Sequence, residues 1–288
     1  MKFILPLLLS LYTFSLYPQG NQPAIGNTKP FVLGVIDEIY SKELGENRIL
    51  NIYLPEGYND KDTIRYAVTY LLDGSADEDF IHVAGLYQFN TFEWVNQAPK
   101  TIVVGIATVD RRRDFTFPTT IKDDRKKYPT SGNSGKFIFF IEKELKPFIN
   151  KKYKTKQEST LIGQSLGGLL ATEILLRKPT LFTNYMIISP SLWWDNGSLL
   201  SQPLIATSNA KQKTAVYIAV GKEGLTPTAI PRVMETDANL LADKINSYKN
   251  PGITVYFDYL PHEDHASISH QAIANGLKMI YADFKSNH

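Results

Sequence analysis

Two short stretches hold the residues best suited to chemistry. The first is Gly163-Gln164-Ser165-Leu166-Gly167, a G-x-S-x-G pentapeptide followed by Gly168. The second is LPHEDHASISH, Leu260 to His270, which contains three of the chain's five histidines: His262, His265 and His270. A serine hydroxyl becomes a strong nucleophile only when a base takes its proton and a third group orients that base. A sharp strand-to-helix turn exposes such a serine, and small residues two before and two after it let strand and helix approach closely. The helix start behind it favours developing negative charge. This pattern marks Ser165 as a candidate nucleophile. A glycine-rich helix start without chemistry is the plainer alternative.

The histidine cluster admits a metal or a base. The zincin pattern H-E-x-x-H sets two histidines on one helical face. HEDH is one residue short of it and precedes the predicted helix, so a metal is disfavoured and none is assigned. The base should instead follow the last strand, because hydrolases built on this turn run in the order Ser, then Asp or Glu, then His. His265 is the candidate base and His262 the reserve. His270 falls about a turn inside the helix and reads as a solvated side chain. The acid should follow the strand TAVYIAVG, where Glu223 lies in GKEG. Asp237 and Asp195 are fallbacks, and a Ser-His pair without an acid is a further possibility. An oxyanion hole needs two backbone N–H groups. Leu166, next to the serine, supplies one. The loop LLDGSADED supplies the other from Gly74 or Ser75, with Ser75 preferred.

These groups need a frame, and the chain alternates strand-like and helix-like segments. FVLGVIDEIYS and RILNIYLPEGY, joined by ELGEN, read as an antiparallel pair. YAVTYLLDG, TIVVGIA, STLIG, NYMIISP, TAVYIAVG and ITVYFDYLP read as further strands. Helices are expected over about 80–97, over SGKFIFFIEKELKPFINKKY, after Ser165, over PRVMETDANLLADKINSY and from about Ser267 onward. Residues 111–135 read as a long polar surface loop. Such alternation predicts an α/β fold with a mainly parallel sheet, antiparallel at its start and covered by helices on both faces. In such sheets ligands bind at the carboxyl ends of the strands. The unusual residues collect at those ends.

Composition narrows the function. The chain has 288 residues, 43% of them hydrophobic, 21% charged, with a net charge of +2 and no cysteine. Disulfides, thiolate metal sites and cysteine nucleophiles are therefore excluded. The charges are interspersed without a basic stripe, which argues against a nucleic-acid partner. Lys2 followed by the apolar run Phe3–Tyr17 predicts a signal peptide over residues 1–20, hence export to the periplasm or medium, with no stable membrane insertion after its removal. Residues 30–288 then form one domain. The sequence does not specify oligomeric state.

Taken in order, YLLDG, VVGIATVDRRRDFTFP, GQSLGGLLA, ISPSLWWDNG, VGKEG and HEDHASI resemble the esterase family of α/β-hydrolases. That family includes enterobactin-type siderophore esterases, feruloyl esterases and S-formylglutathione hydrolase. The likeness runs from about Val35 to the C-terminus. It implies the α/β-hydrolase fold, a small-molecule ester substrate, no cofactor, Ser165 as nucleophile and His265 as base. Glu223 is the least secure carry-over, since the family's acid position varies. The resemblance also sets Arg111, Asp114 and Thr116 beside the active site, with Arg112 and Arg113 as additional cations. Arg111 would bind anionic or catecholate oxygens, with a solvated loop as the plainer alternative, and Trp193 and Trp194 would form a flat wall for an aryl group, with core packing the alternative for one of the two. Acyl transfer to a sugar or glycan, and a non-catalytic binding role, are the alternative functions.

Overall fold

Runs rich in β-branched and aromatic residues form the strands, and the central ones are buried on both faces. In the computed structural model, residues 28–205, 213–228 and 230–286 are described. The signal segment expected over residues 1–20 lies outside them. The described residues from Leu33 onward form one compact unit. Eight strands make a single sheet: β1 (Val35–Ser41), β2 (Glu46–Tyr53), β3 (Tyr66–Leu71), β4 (Thr101–Ile106), β5 (Thr155–Gln164), β6 (Asn184–Ile188), β7 (Thr214–Gly221) and β8 (Ile253–Leu260). Their order is β1-β2-β4-β3-β5-β6-β7-β8. β1 and β2 pair antiparallel, as do β2 and β4, and every later pairing is parallel. Every residue of β3, β4 and β6 is buried, as expected where helices cover both faces.

The helices are α1 (Phe80–Asn90), α2 (Arg111–Phe115), α3 (Lys122–Lys127), α4 (Ser134–Phe140), α5 (Lys146–Lys152), α6 (Leu166–Arg177), α7 (Met234–Ser247), α8 (Ile268–Ile280) and α9 (Ala282–Ser286). Apolar side chains divide into two clusters, one on each side of the sheet's central strands. One includes Leu169, Ile174, Tyr185 and Trp194, and the other includes Val83, Tyr87, Met186 and Ile273. Three expectations need correction. The first helix ends at Asn90 instead of Gln97. The helix expected over 134–153 is divided into α4 and α5 by a π-helical turn at Ile141–Leu145. That turn ends two residues before Pro147, which has no N–H to donate to the helix.

The third correction concerns residues 111–135. They contain α2 and α3 instead of a continuous surface loop, and Asp114, Phe115, Thr116 and Phe117 are buried. Asp110 caps α2 by accepting the Arg113 N–H at 3.0 Å. Phe115 packs edge-on against Phe137, with ring centroids 5.5 Å apart. Buried charges are tolerated here because they are paired. Arg48 of β2, with a side chain only 1% exposed, donates to Asp114 Oδ2 at 2.5 Å. Arg113 joins Asp114 Oδ1 at 2.8 Å and Glu46 Oε1 at 2.6 Å.

Removing one partner of a buried pair costs more than the pair itself contributes, since the remaining charge is left in a poor solvent. Asp114→Ala should therefore lower stability by about 3 kcal/mol. Urea denaturation of the two proteins measures this; an unchanged midpoint would mean that the α2 segment is not anchored through Arg48.

Candidate active site

The site is assembled from the carboxyl ends of β3, β5, β6, β7 and β8. Ser165 follows the last residue of β5 and precedes the first residue of α6. Its backbone is forced to φ 57° and ψ −116°, a region that non-glycine residues rarely occupy. Neighbouring chain holds it there. The Ser165 N–H donates to Ile188 O at 3.0 Å, and its carbonyl accepts the Ser191 N–H at 2.9 Å. Gly163 is required by close packing: a Cβ there would lie 2.4 Å from Gly167 O. Gly168 is similarly confined, with a Cβ position 2.9 Å from Pro190 Cα.

Ser165, His265 and Glu223 lie in one hydrogen-bonded line. Ser165 Oγ is 3.0 Å from His265 Nε2, and His265 Nδ1 is 2.6 Å from Glu223 Oε2. The Glu223 side chain is 4% exposed. Burial pushes its carboxyl up, but hydrogen bonds from His265 and Ser189, with the charge of His265 and the Gly221 N–H, outweigh that and hold it below the ordinary glutamate value. The ionised carboxylate is therefore the form present near neutrality. Its partners explain why it stays fixed: Oε2 takes His265, while Oε1 accepts from the Ser189 hydroxyl and, at 3.3 Å, from the Gly221 N–H.

The loop bearing His265 is docked on β7 and β5. Lys222 N–H donates to Glu263 O at 2.7 Å, and the Gln164 side-chain amide donates to His265 O at 2.5 Å. Asp264 caps the approach to α8 by accepting the Ala266 and Ser267 N–H groups at 2.8 and 3.0 Å. The other two histidines of the cluster are elsewhere. His262 is exposed and is not among the hydrogen-bonding partners of Ser165, His265 or Glu223. His270 is exposed on the helix surface, as expected, and its Nδ1 is 2.8 Å from His82 Nε2 of α1, with the two rings stacked at a centroid distance of 4.9 Å.

The fallback acids are also engaged away from His265. Asp237 forms a two-pronged pair with Arg232 at 2.7 and 2.6 Å. Asp195 accepts from Thr119, Thr120 and Ser198.

The loop after β3 reaches the same end of the sheet. A Cβ at Gly74 would lie 2.4 Å from Gly105 Cα, so only glycine fits where this loop crosses β4. The Gly74 N–H donates to Ile106 O at 3.0 Å, which leaves the next residue, Ser75, as the free-standing candidate of the two. Ser75 N–H has only a long 3.4 Å contact with the exposed Glu78 carboxylate. Leu166 is the first residue of α6, and its N–H has no partner within the helix.

The structure revises two expected substrate contacts. Trp194 is 1% exposed and donates its indole N–H to Phe117 O at 2.8 Å, so it belongs to the core. Trp193 packs edge-on against it and is the tryptophan that lines the cleft. Arg111 grips the Asp73 carboxylate, with Nε–Oδ1 and Nη2–Oδ2 both 2.9 Å, and donates to Gln164 O at 3.1 Å. It thus ties the loop after β3 to the serine turn, and its charge is matched by Asp73. Arg112 lies over the Tyr128 ring at 3.8 Å, and Arg113 is paired as described above. Sequence reasoning passed over Asn51, whose buried amide donates to Gly74 O at 2.9 Å, and Ser189 beside Glu223. A lone polar residue within the apolar run Ile49–Tyr53 was the available signal for Asn51.

The line opens onto a cleft of about 550 Å³. Its wall combines Ser191, Trp193, Leu225, Met234 and Lys222. It is a mostly apolar pocket with few polar groups, the general form of a small-molecule site.

The chain is similar to several known proteins. Residues 41–257 match the family described as "Putative esterase". The ferri-bacillibactin esterase BesA of Bacillus subtilis is 28% identical over 268 residues, covering 88% of this chain and 92% of its own. An IroE-like serine hydrolase from Shewanella oneidensis superposes with a TM-score of 0.76 at 32% identity, covering 87% of this chain and 80% of that one. The BES protein from Bacillus cereus gives a TM-score of 0.76 at 29% identity, covering 89% and 98%. With an α/β-hydrolase fold, a serine turn at the end of β5 and two-thirds or more of its length shared with esterases, this chain belongs to the esterase family and is a carboxylic ester hydrolase.

Proposed function

We propose that the protein is an exported serine esterase in which Ser165, His265 and Glu223 act as nucleophile, base and orienting acid. The observation that carries this reading is the continuous line from Ser165 Oγ to His265 Nε2 at 3.0 Å and from His265 Nδ1 to Glu223 Oε2 at 2.6 Å. Ser165 Oγ attacks the ester carbonyl while Nε2 takes its proton. The Leu166 and Ser75 N–H groups receive the oxyanion, a contribution of roughly 10²–10³ in rate for each such donor. The intermediate collapses, Nε2–H protonates the departing alcohol, and His265 then activates water against the acyl-enzyme. No cofactor enters this scheme.

The substrate class follows from the cleft and the relatives together. Trp193 offers a flat aromatic wall and Lys222 a cation, a pairing suited to an aryl ester bearing anionic or phenolic oxygens. The name of the Bacillus subtilis relative, ferri-bacillibactin esterase, favours a siderophore-like ester, and a feruloyl-type ester has the same aryl character. Export is inferred from Lys2 and the apolar run Phe3–Tyr17, with residues 30–288 as the single working domain.

The test is a panel of acetyl, aryl, feruloyl and trilactone esters offered to the wild type and to point variants. Ser165→Ala and His265→Ala should each lower kcat by about 10³-fold or more. His262→Ala and His270→Ala should keep most of the activity. If His262→Ala were the inactive variant, the base would be misassigned; if Ser165→Ala matched the wild type, the nucleophile would be.

Glu223 provides an independent check. Its folded pKa lies below the ordinary value of about 4.3, so its interactions stabilise the protein above that pH and fade as pH falls through the lower folded value. Between about pH 5 and pH 3 the wild type should therefore lose more stability than Glu223→Gln, which has no proton to gain. Denaturant titrations at the two pH values measure the difference. Equal losses would contradict a carboxylate held ionised by His265 and Ser189.

A further inference from the structure

Ser191 stands at 3.2 Å, Oγ to Oγ, from Ser165, and the scheme above gives it no task. Its hydroxyl lines the cleft although the residue is only 1% exposed. Its place is set by backbone: its N–H donates to Ser165 O at 2.9 Å, and Ser165 N–H donates to Ile188 O at 3.0 Å. The two serines are thus held side by side by main-chain bonds that do not involve either hydroxyl.

A proton inventory decides which hydroxyl donates. The Glu223 carboxylate can only accept, so Nδ1 of His265 carries a proton and donates across the 2.6 Å contact. An imidazole poised to act as base carries only that proton, so Nε2 is an acceptor, and the Ser165 O–H must point to it across 3.0 Å. Ser165 Oγ then has no proton left for Ser191. The Ser191 O–H is the donor, aimed at a lone pair of the nucleophilic oxygen.

Resting on the esterase reading, we propose that Ser191 is a catalytic residue whose hydroxyl donates to Ser165 Oγ and chiefly assists breakdown of the acyl-enzyme. The two half-reactions use Ser165 Oγ differently. In acylation Oγ forms its bond to the carbonyl carbon while its proton passes to Nε2. The resting Oγ already accepts this bond, and the charge that develops as its proton leaves passes on to the carbonyl oxygen, so a donor on Oγ gains less here than it does starting from the weakly accepting ester oxygen of the acyl-enzyme. In deacylation water gives a proton to Nε2 and its oxygen bonds to the acyl carbon. The C–Oγ bond then breaks, its electron pair goes to Oγ, and the Nε2 proton follows. Negative charge accumulates on Oγ during that step, and the Ser191 O–H is positioned to stabilise it.

The experiment is rapid-mixing kinetics with p-nitrophenyl acetate on full-length wild type, Ser191→Ala and Ser191→Thr, resolving nitrophenolate release from acyl-enzyme decay. Loss of one hydrogen bond of this type should slow deacylation of Ser191→Ala by about tenfold and change acylation by no more than about threefold, so that acyl-enzyme accumulates. Ser191→Thr, which keeps the hydroxyl, should restore deacylation to within about threefold of wild type. Thermal melting accompanies each variant, and the Thr variant separates loss of the hydroxyl from a disturbed turn. Wild-type deacylation in Ser191→Ala, or equal slowing of both steps, would overturn the role given to Ser191 and leave the esterase reading intact. Failure of the wild type to form any acyl-enzyme would instead overturn the esterase reading, and this inference with it.

Discussion

One backbone constraint organises the site: Ser165 must hold φ 57° and ψ −116° where β5 turns into α6. A residue in such a region costs of order 1–3 kcal/mol and persists only where its surroundings over-determine it. Those surroundings are visible. Gly163 and Gly168 remove the Cβ atoms that would collide with Gly167 O and Pro190. Ile188 O and the Ser191 N–H take up the Ser165 main-chain groups. The buried parallel strands on either side supply a rigid edge from which the hydroxyl projects. Relaxing the turn would move the nucleophile away from His265, and the line to Glu223 would lose its first member.

The supporting polar contacts share one logic. Each loop that brings a functional group to the carboxyl edge is tied to the neighbouring strand end. Gln164 holds the His265 loop through its carbonyl, Ser189 holds Glu223, and Asn51 holds Gly74. Arg111, gripping Asp73 and the Gln164 carbonyl, couples the loop after β3 to the serine turn. These are fixed dipoles and paired charges around a cleft with apolar walls. Such groups need little reorganisation when charge develops during reaction, which is the physical source of electrostatic catalysis.

Much of the frame was legible in the sequence because local chemistry and global position agree there. The G-x-S-x-G pentapeptide sits between a strand and a helix, and Glu223 and His265 follow the next appropriate strand ends. What was not legible depended on partners distant in sequence. Nothing local separates Trp193 from Trp194, yet one faces the cleft and the other fills the core under Phe117. The arginine run at 111–113 reads as exposed charge until Asp73, Glu46 and the Tyr128 ring are folded against it. His270 is exposed as its position suggests, but only the fold brings His82 of α1 beside it. Residues 111–135 read as loop because their composition is polar, whereas Phe115 and Phe117 anchor them in the core.

The central claim is that the Ser165 hydroxyl is the nucleophile and that His265 activates it. An alkyl fluorophosphonate tests both together, because it reacts only with an activated serine and leaves a covalent adduct. Intact-mass and peptide-mapping spectrometry should find one adduct on the wild type, located on Ser165, none on Ser165→Ala, and a much slower reaction on His265→Ala. An unlabelled wild type, or a Ser165→Ala variant labelled at the wild-type rate, would contradict the account.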